Sequence, residues 1–276
     1  MELIELAGRR LACWDRGQGT PLLFIHGVGT SGELWAGDLE ALASDCRLIV
    51  YDRRGYGASS ESPREWEAHR DDAADLIQAL DAVPAVVVGF SGGAIVALDL
   101  VVNRPELVSR LVLLDPAFNI KRCVTPGLVR ALATARLLRR VRGDRSGAAA
   151  WMRYTGSYPS GGSAFDKVPA ARRQTLLANA SGVFADADSG AGDHVPEDRL
   201  SAIAVPTTIV DCAMSPPFLR RSCGRLRALM PQATTVTLER SGHHIAVDAR
   251  DELVALLRNT VSPRQEPAPE ISGELQ

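Results

Sequence analysis

The amino-acid sequence predicts an α/β fold built on a doubly wound, mostly parallel β-sheet with an inserted helical cap. Short runs rich in Val, Ile and Leu recur along the chain, as in strands that are buried on both faces. Segments with apolar residues at helical spacing lie between these runs. A long stretch after Asp115 lacks any clear strand, which indicates an insertion.

The predicted parallel strands cover residues 21–26, 46–51, 85–89, 110–115, 206–211 and 233–239. Ahead of them, Leu3 to Leu6 and Leu11 to Asp15 alternate between apolar and polar residues, with a turn at Gly8. This alternation predicts an antiparallel pair at one edge of the sheet. Helices are predicted for the segment around Leu76 and for residues 94–102 and 247–257.

The chain divides by this pattern into a core, a cap and a tail. The core is predicted to comprise residues 1–116 and 201–262, and the cap residues 117–200. Within the cap, residues 127–141 and 170–179 have helical spacing, and turns rich in Gly and Ser occur at 156–163. Residues 263–276 lack an apolar face and predict a disordered tail.

Composition narrows the class of protein. The 276 residues are 46% hydrophobic and 23% charged, with a net charge of -2, which is typical of a soluble globular protein and does not indicate a nucleic-acid partner. No apolar stretch is long enough to span a bilayer and the first residues are acidic, so we expect no membrane partner and a cytoplasmic location. The five cysteines include no CxxC pair and predict neither a disulfide framework nor a metal site.

Ser91 is the candidate nucleophile. It lies in Gly89-Phe90-Ser91-Gly92-Gly93, directly after a predicted strand and before a predicted helix. The pattern GxSxG in this context predicts a strained strand-to-helix turn, which needs small residues two positions before and after the serine. The amides and the positive end of the helix dipole would then face the charge that develops near Ser91.

Two further motifs complete the candidate site. The sequence His26-Gly27-Val28-Gly29 follows the first central strand, so the backbone N–H groups of Val28 and Gly92 are the predicted oxyanion hole. We interpret His26 as a structural residue of this loop. The sequence Ser241-Gly242-His243-His244 follows the last strand, and His243 is the candidate general base because that loop shares an edge of the sheet with Ser91.

These motifs resemble those of the α/β-hydrolase superfamily, in particular its esterase, lactonase and haloperoxidase-like branch. The similarity covers residues 1–262 and includes the segment Asp52 to Ser59, which resembles a family signature that braces neighbouring loops. The resemblance implies an α/β-hydrolase fold and a serine hydrolase that forms an acyl-enzyme. Substrates would be small to medium esters, lactones or thioesters, without a cofactor or metal.

The acid of the triad departs from the family pattern. The usual position, after the strand that begins at Pro206, is occupied by Ser215. Some members of the superfamily carry the acid at the preceding strand end, so we favour Asp115, with Asp211 as the alternative. A catalytic dyad without an acid is the third possibility, because the acid orients the imidazole and stabilises its cation rather than accepting the proton.

The basic segment of the predicted cap and the class of reaction each allow more than one interpretation. Eight basic residues between Lys121 and Arg145 accompany a single acid, which indicates either a solvated cap helix or a cavity mouth that attracts an anionic or carrier-bound acyl substrate. A non-hydrolytic lyase or cyclase on the same fold is an alternative function. A small-molecule receptor with little turnover is another. The oligomeric state is not indicated.

Overall fold

Eight strands form one sheet in the computed structural model, which describes residues 1–190 and 195–262. The predicted tail, 263–276, lies outside the described residues. The strands are β1 Glu2–Leu6, β2 Arg9–Arg16, β3 Pro21–Ile25, β4 Arg47–Tyr51, β5 Ala85–Phe90, β6 Val108–Leu114, β7 Thr207–Cys212 and β8 Thr234–Leu238.

The sheet order is β1-β2-β4-β3-β5-β6-β7-β8. β2 pairs antiparallel with β1 and β4, and every other neighbouring pair is parallel. The turn between β1 and β2 has positive φ at Ala7 (46°) and Gly8 (82°), which matches the position of the predicted turn. The prediction of an α/β-hydrolase fold with a mostly parallel sheet is therefore confirmed.

Eleven α-helices are described: α1 Gly32–Leu39, α2 Ala68–Ala79, α3 Gly92–Asn103, α4 Pro126–Arg142, α5 Asp144–Thr155, α6 Ala164–Lys167, α7 Ala170–Ala178, α8 Ala180–Asp188, α9 Pro217–Leu229, α10 Ile245–Asp248 and α11 Arg250–Val261. Short 3₁₀ helices occur at Glu40–Ser44, Pro105–Leu107, Ile120–Arg122 and Glu197–Ala202. Within residues 1–190 and 195–262, none of these helices combines the length and apolar character that crossing a bilayer would require.

The core lies on both faces of the sheet. Alternate residues of β5 point to opposite faces, so that Val87 packs in one apolar cluster and Val88 in the other. Helices α2 and α3 cover the first cluster, and α1 and α11 cover the second. Because every residue of β5 is buried, its sequence is a continuous apolar run rather than an alternating one.

Some helices differ from the prediction. The helix predicted for residues 247–257 is interrupted at Ala249, whose φ of -148° and ψ of 41° separate α10 from α11. Helices α5 and α8 were not predicted, since their sequences are rich in Ala and Gly and have few large apolar residues. Ala has a high helix propensity but leaves little of the apolar periodicity on which the prediction depends.

The segment between β6 and β7 contains α4 to α8. A turn at Gly143 (φ 82°) lets α5 pack against α4, and an apolar cluster of Met152, Phe165 and Phe184 joins three of its helices. A second cluster joins Leu128 of α4 to Phe218 of α9. This segment therefore has apolar contacts of its own and also packs on the rest of the chain, whereas its division from the core as a separate cap remains a prediction.

Candidate active site

Ser91 occupies the sharp turn between β5 and α3. Its φ of 53° lies in the left-handed region, which is strained for a residue with a side chain. A Cβ on Gly89 would lie 2.4 Å from the carbonyl oxygen of Gly93, and one on Gly93 would lie 2.2 Å from the carbonyl oxygen of Ile25. The close approach of α3 to β3 and β5 thus requires glycine on both sides of Ser91, and it projects the serine hydroxyl beyond the strand end.

This packing predicts that Gly93→Ala destabilises the fold by about 1–3 kcal/mol or more, because the added methyl group would overlap the backbone of β3. Gly37→Ala is a matched control: Gly37 also lies in a helix, and a Cβ there meets no heavy atom within 4 Å. Urea unfolding of both variants measures the effect. Equal stability of Gly93→Ala and the wild type would contradict this account of the turn.

The structure brings Ser91, His243 and Asp115 into one hydrogen-bonded chain. His243 lies in the loop between β8 and α10, and its Nε2 is 3.0 Å from Ser91 Oγ. Its Nδ1 is 2.6 Å from Asp115 Oδ2. Since an ionised carboxylate can only accept, Nδ1 carries the proton and donates to Asp115, which leaves Nε2 to accept the hydroxyl proton of Ser91. The ring of Phe90 stacks on the imidazole, with centroids 4.9 Å apart.

Asp115 is fully buried at the end of β6 and has two further donors. The hydroxyl of Ser215 donates to Oδ2 at 2.6 Å, and the Cys223 thiol lies 3.6 Å from Oδ1. Sequence reasoning did not find these two partners. Ser215 stands at the position where the superfamily usually has its acid. Its hydroxyl contacts the carboxylate of Asp115, which follows the neighbouring strand β6.

Asp211, the alternative acid, lies beside Asp115 but has a different partner. One oxygen of each carboxylate and the Cys223 sulfur lie within 4.8 Å of one another. Asp211 Oδ2 accepts from Arg227 at 3.2 Å. Burial, and next the charge of Asp115, raises the pKa of Asp211. The structure places no hydrogen bond between Asp211 and His243 among the described residues.

The two predicted oxyanion donors lie next to each other. The backbone nitrogen of Val28 is 3.6 Å from the position that a Cβ on Gly92 would occupy, and both residues line the same cavity as Ser91. Gly92 is the first residue of α3, so its N–H has no carbonyl partner within the helix. The geometry is compatible with two N–H groups that face a substrate oxygen.

The loop that carries Val28 is fixed by its neighbours. His26 Nδ1 donates to the carbonyl oxygen of Gly27 at 2.8 Å, and His26 Nε2 accepts from the backbone N–H of Arg53 at 2.9 Å. Asp52 accepts from the N–H groups of Gly32 (2.7 Å) and Ala58 (3.1 Å). His26 and the segment that begins at Asp52 therefore join neighbouring loops, in the manner that the sequence predicts for both.

A buried ion pair joins this region to α8. The guanidinium of Arg53 is 2.7 Å from Asp186, which also accepts from the hydroxyl of Tyr56 at 2.6 Å and lies 3.5 Å from His69 Nε2. Arg53 is 0% and Asp186 2% exposed, so neither charge is screened by water. Burial alone would raise the pKa of Asp186, but Arg53 and the hydrogen bond from His69 lower it. Arg54 instead pairs with Asp72.

A cavity of about 210 Å³ opens directly above Ser91 and His243. Its wall is mostly apolar and comes from the loops at the strand ends and from α1, α3, α4, α5, α7, α8, α9 and α10. The lining includes Trp35, Ile95, Leu132, Trp151, Met152, Phe184 and Phe218. A cavity of this composition favours an apolar substrate portion.

His244 lies on the cavity wall beside His243. Burial, and next the charge of His243, lowers the pKa of His244 to about 3 from its ordinary value of 6.5. The imidazole therefore stays neutral in the folded protein, whereas in the unfolded chain it binds a proton near pH 6.5. Between these values the unfolded state holds more protons, so the free energy of unfolding falls as the pH falls from 6.5 towards 3.

His244→Gln is accordingly expected to make stability less dependent on pH below 6.5, by up to about 1.4 kcal/mol per pH unit for the one proton removed. Urea unfolding of the wild type and the variant between pH 7 and pH 4.5 measures this difference. His26 and His69 remain in both proteins, so their own lowered pKa values contribute equally to the two curves. Parallel curves would contradict the prediction.

A model of the alpha/beta hydrolase family matches residues 22–256 of the chain. The chain belongs to this family. The match contains the turn at Ser91, the loop at Val28 and the loop at His243, and the resemblance predicted from the motifs is confirmed. In this α/β hydrolase the candidate site lies beyond the carboxyl ends of β5 and β6.

Solved structures of similar fold cover nearly the whole chain. An esterase from Thermogutta terrifontis is 26% identical, with a TM-score of 0.75 over 95% of this chain and 98% of that one. Est816, described as an N-acyl homoserine lactone degrading enzyme, is 21% identical, with a TM-score of 0.75 over 94% and 99%. A hydrolase from Pseudomonas aeruginosa is 23% identical, with a TM-score of 0.76 over 95% and 98%.

A sequence relative is the Mycobacterium tuberculosis protein named "Putative non-heme bromoperoxidase BpoC". It is 43% identical over 115 residues, which make up 41% of this chain and 44% of that protein. The chain thus spans less than half the length of the curated relatives that it matches.

Proposed function

We propose that this enzyme hydrolyses a small to medium carboxylic ester, lactone or thioester through an acyl-enzyme on Ser91. One observation carries the proposal: the imidazole of His243 bridges Ser91 Oγ at 3.0 Å and Asp115 Oδ2 at 2.6 Å beside a mostly apolar cavity. An imidazole in this position activates a hydroxyl by accepting its proton, and its cation is stabilised by the carboxylate behind it.

The first half of the reaction forms the acyl-enzyme. His243 Nε2 accepts the hydroxyl proton as Ser91 Oγ forms a bond to the carbonyl carbon, and the carbonyl oxygen becomes an oxyanion. The N–H groups of Val28 and Gly92 would stabilise that charge. The bond to the alcohol or thiol then breaks, and the leaving group takes the proton from His243.

The second half releases the acid. A water molecule gives a proton to His243 Nε2 and attacks the acyl carbon, which forms a second oxyanion in the same hole. The bond to Ser91 Oγ breaks, the serine recovers the proton, and the carboxylic acid leaves. Asp115 stays ionised throughout and holds the imidazole in the tautomer that both halves need. Every step uses side chains, backbone N–H groups and water.

Labelling with an alkyl fluorophosphonate tests the mechanism. We expect a single mass adduct on Ser91, because the activated hydroxyl displaces fluoride from phosphorus, and no adduct in Ser91→Ala. Ser44→Ala, a change at an exposed serine, should label at the wild-type rate. Labelling at a different residue, or labelling that persists in Ser91→Ala, would count against Ser91 as the nucleophile.

A further inference from the structure

The charged residues on the cavity wall differ in whether they have a partner. Five charged side chains line the cavity: Arg136, Arg139, Arg172, Asp186 and Asp188. The rest of the lining is mostly apolar, so these charges set the electrostatic character of the site away from Ser91. A charge already neutralised by a neighbour has little attraction left for a ligand, whereas an unpaired one can bind a counter-charge.

All but one of these charges have an opposite charge nearby. Asp186 is buried against Arg53, and the guanidinium of Arg172 pairs with Asp38. Arg139 is 2.9 Å from Asp144 and 3.8 Å from Asp188. Arg136, in contrast, has no ion pair and no side-chain hydrogen bond to any residue within 1–190 and 195–262. It is the one cation on this described wall that a substrate group could neutralise.

Arg136 is well placed on α4 to serve the cavity. The cavity-lining residues of this helix are Leu132, Ala135, Arg136 and Arg139, which follow the spacing of one helical face. Arg136 itself is exposed, so it stands at the rim, where it meets solvent as well as the cavity. Helix α4 contains no acidic residue, and nothing within the helix weakens the positive potential at this rim.

From this distribution of charge we infer that the substrate has an apolar body and a carboxylate at the end remote from the reacting carbonyl, and that Arg136 binds this carboxylate. The inference rests on the proposed function only in that the other end of the substrate carries the carbonyl that Ser91 attacks. A guanidinium matches a carboxylate with two parallel hydrogen bonds, and the adjoining apolar wall accepts the chain that connects the two ends. Arg136 acts here as a specificity-determining residue and has no part in bond cleavage.

Matched substrates test the inference. Mono-4-nitrophenyl esters of linear dicarboxylic acids of six, eight and ten carbons are compared with the same compounds capped as ω-methyl esters. We expect the wild type to prefer the free acid at one chain length by about ten-fold or more in kcat/KM, mainly through KM. Arg136→Gln should lose this preference while still hydrolysing the capped ester, and Arg136→Lys should retain part of it.

Arg140→Gln is the control, because Arg140 is also an exposed arginine of α4 but does not line the cavity. It should keep the wild-type preference. The inference is overturned if the wild type shows no preference at any chain length, if the preference survives Arg136→Gln, or if Arg140→Gln removes it equally. The last outcome would indicate a general effect of positive charge on the helix rather than a bound carboxylate.

A binding measurement separates this inference from the proposed function. The Ser91→Ala protein is titrated by calorimetry with two ligands for each dicarboxylic acid. One is the mono-methylamide with a free carboxylate, and the other is the same mono-methylamide with that carboxylate capped as a methyl ester. Tighter binding of the acid, lost in Ser91→Ala with Arg136→Gln, supports the carboxylate site even if the nucleophile has been assigned wrongly. Equal binding of acid and ester in Ser91→Ala contradicts the site whether or not the enzyme hydrolyses esters.

Discussion

Replacing Ser91 with alanine is expected to reduce kcat for ester hydrolysis by about a million-fold, since no other hydroxyl among the described residues lies within hydrogen-bond distance of His243 Nε2. The change removes one oxygen atom from a position that is 8% exposed and creates no steric conflict. Residual activity should come from the amides of Val28 and Gly92 and from substrate binding. The measurement is kcat with 4-nitrophenyl butyrate under saturating conditions.

Two controls support the interpretation of this result. The variant should unfold at a urea concentration close to that of the wild type, and Ser44→Ala should retain full activity because Ser44 is exposed and distant in sequence from every motif of the site. A loss of less than ten-fold in correctly folded Ser91→Ala would mean that the serine is not the nucleophile. The acyl-enzyme mechanism would then have to be abandoned.

Asp115→Asn is expected to reduce kcat by about 10⁴-fold with little change in KM. The carboxylate at 2.6 Å from Nδ1 fixes the proton on that nitrogen, whereas an amide in its place can donate to Nδ1 and shift the proton to Nε2. An imidazole protonated at Nε2 cannot accept the hydroxyl proton of Ser91. The measurement is the profile of kcat against pH for both proteins.

Asp211→Asn is the matched comparison, since it makes the same chemical change at the end of the adjacent strand. Its carboxylate pairs with Arg227 and not with His243, so its loss should reduce kcat by less than about ten-fold. A large loss in Asp211→Asn with a small one in Asp115→Asn would reverse the assignment of the acid. Equal small losses in both would favour a dyad of Ser91 and His243.

Most of the fold could be predicted from sequence, because buried parallel strands have a strong signature. β5 consists only of buried residues, and its run of valines before a glycine-rich turn favours a buried strand. The helices between β6 and β7 were predicted less well. Their apolar faces pack partly on one another, as Met152 does on Val183, and such contacts depend on the tertiary arrangement rather than on a local period.

In the candidate site, too, the features that depend on tertiary contacts could not be predicted from the sequence. Ser91 and His243 lie within short motifs whose spacing is local, whereas the acid depends on the direction of a side chain. Asp115 and Asp211 end neighbouring strands, and only the structure shows that Asp115 points at the imidazole. The contact of Ser215 with Asp115 spans 100 residues and that of Arg53 with Asp186 spans 133, so neither leaves a pattern in the sequence.

The buried pair of Arg53 and Asp186 makes the part of the cavity wall that α8 forms costly to change. Removal of either partner would leave an uncompensated charge in the interior, which would lower the free energy of unfolding by about 3–5 kcal/mol. Position 186 on α8 therefore cannot change without a loss of stability. On helix α4, in contrast, the cavity-lining side chain of Arg136 is exposed, and substitutions there should cost little stability. Directed evolution of new substrate preferences should therefore accumulate changes on α4 and leave Asp186 intact.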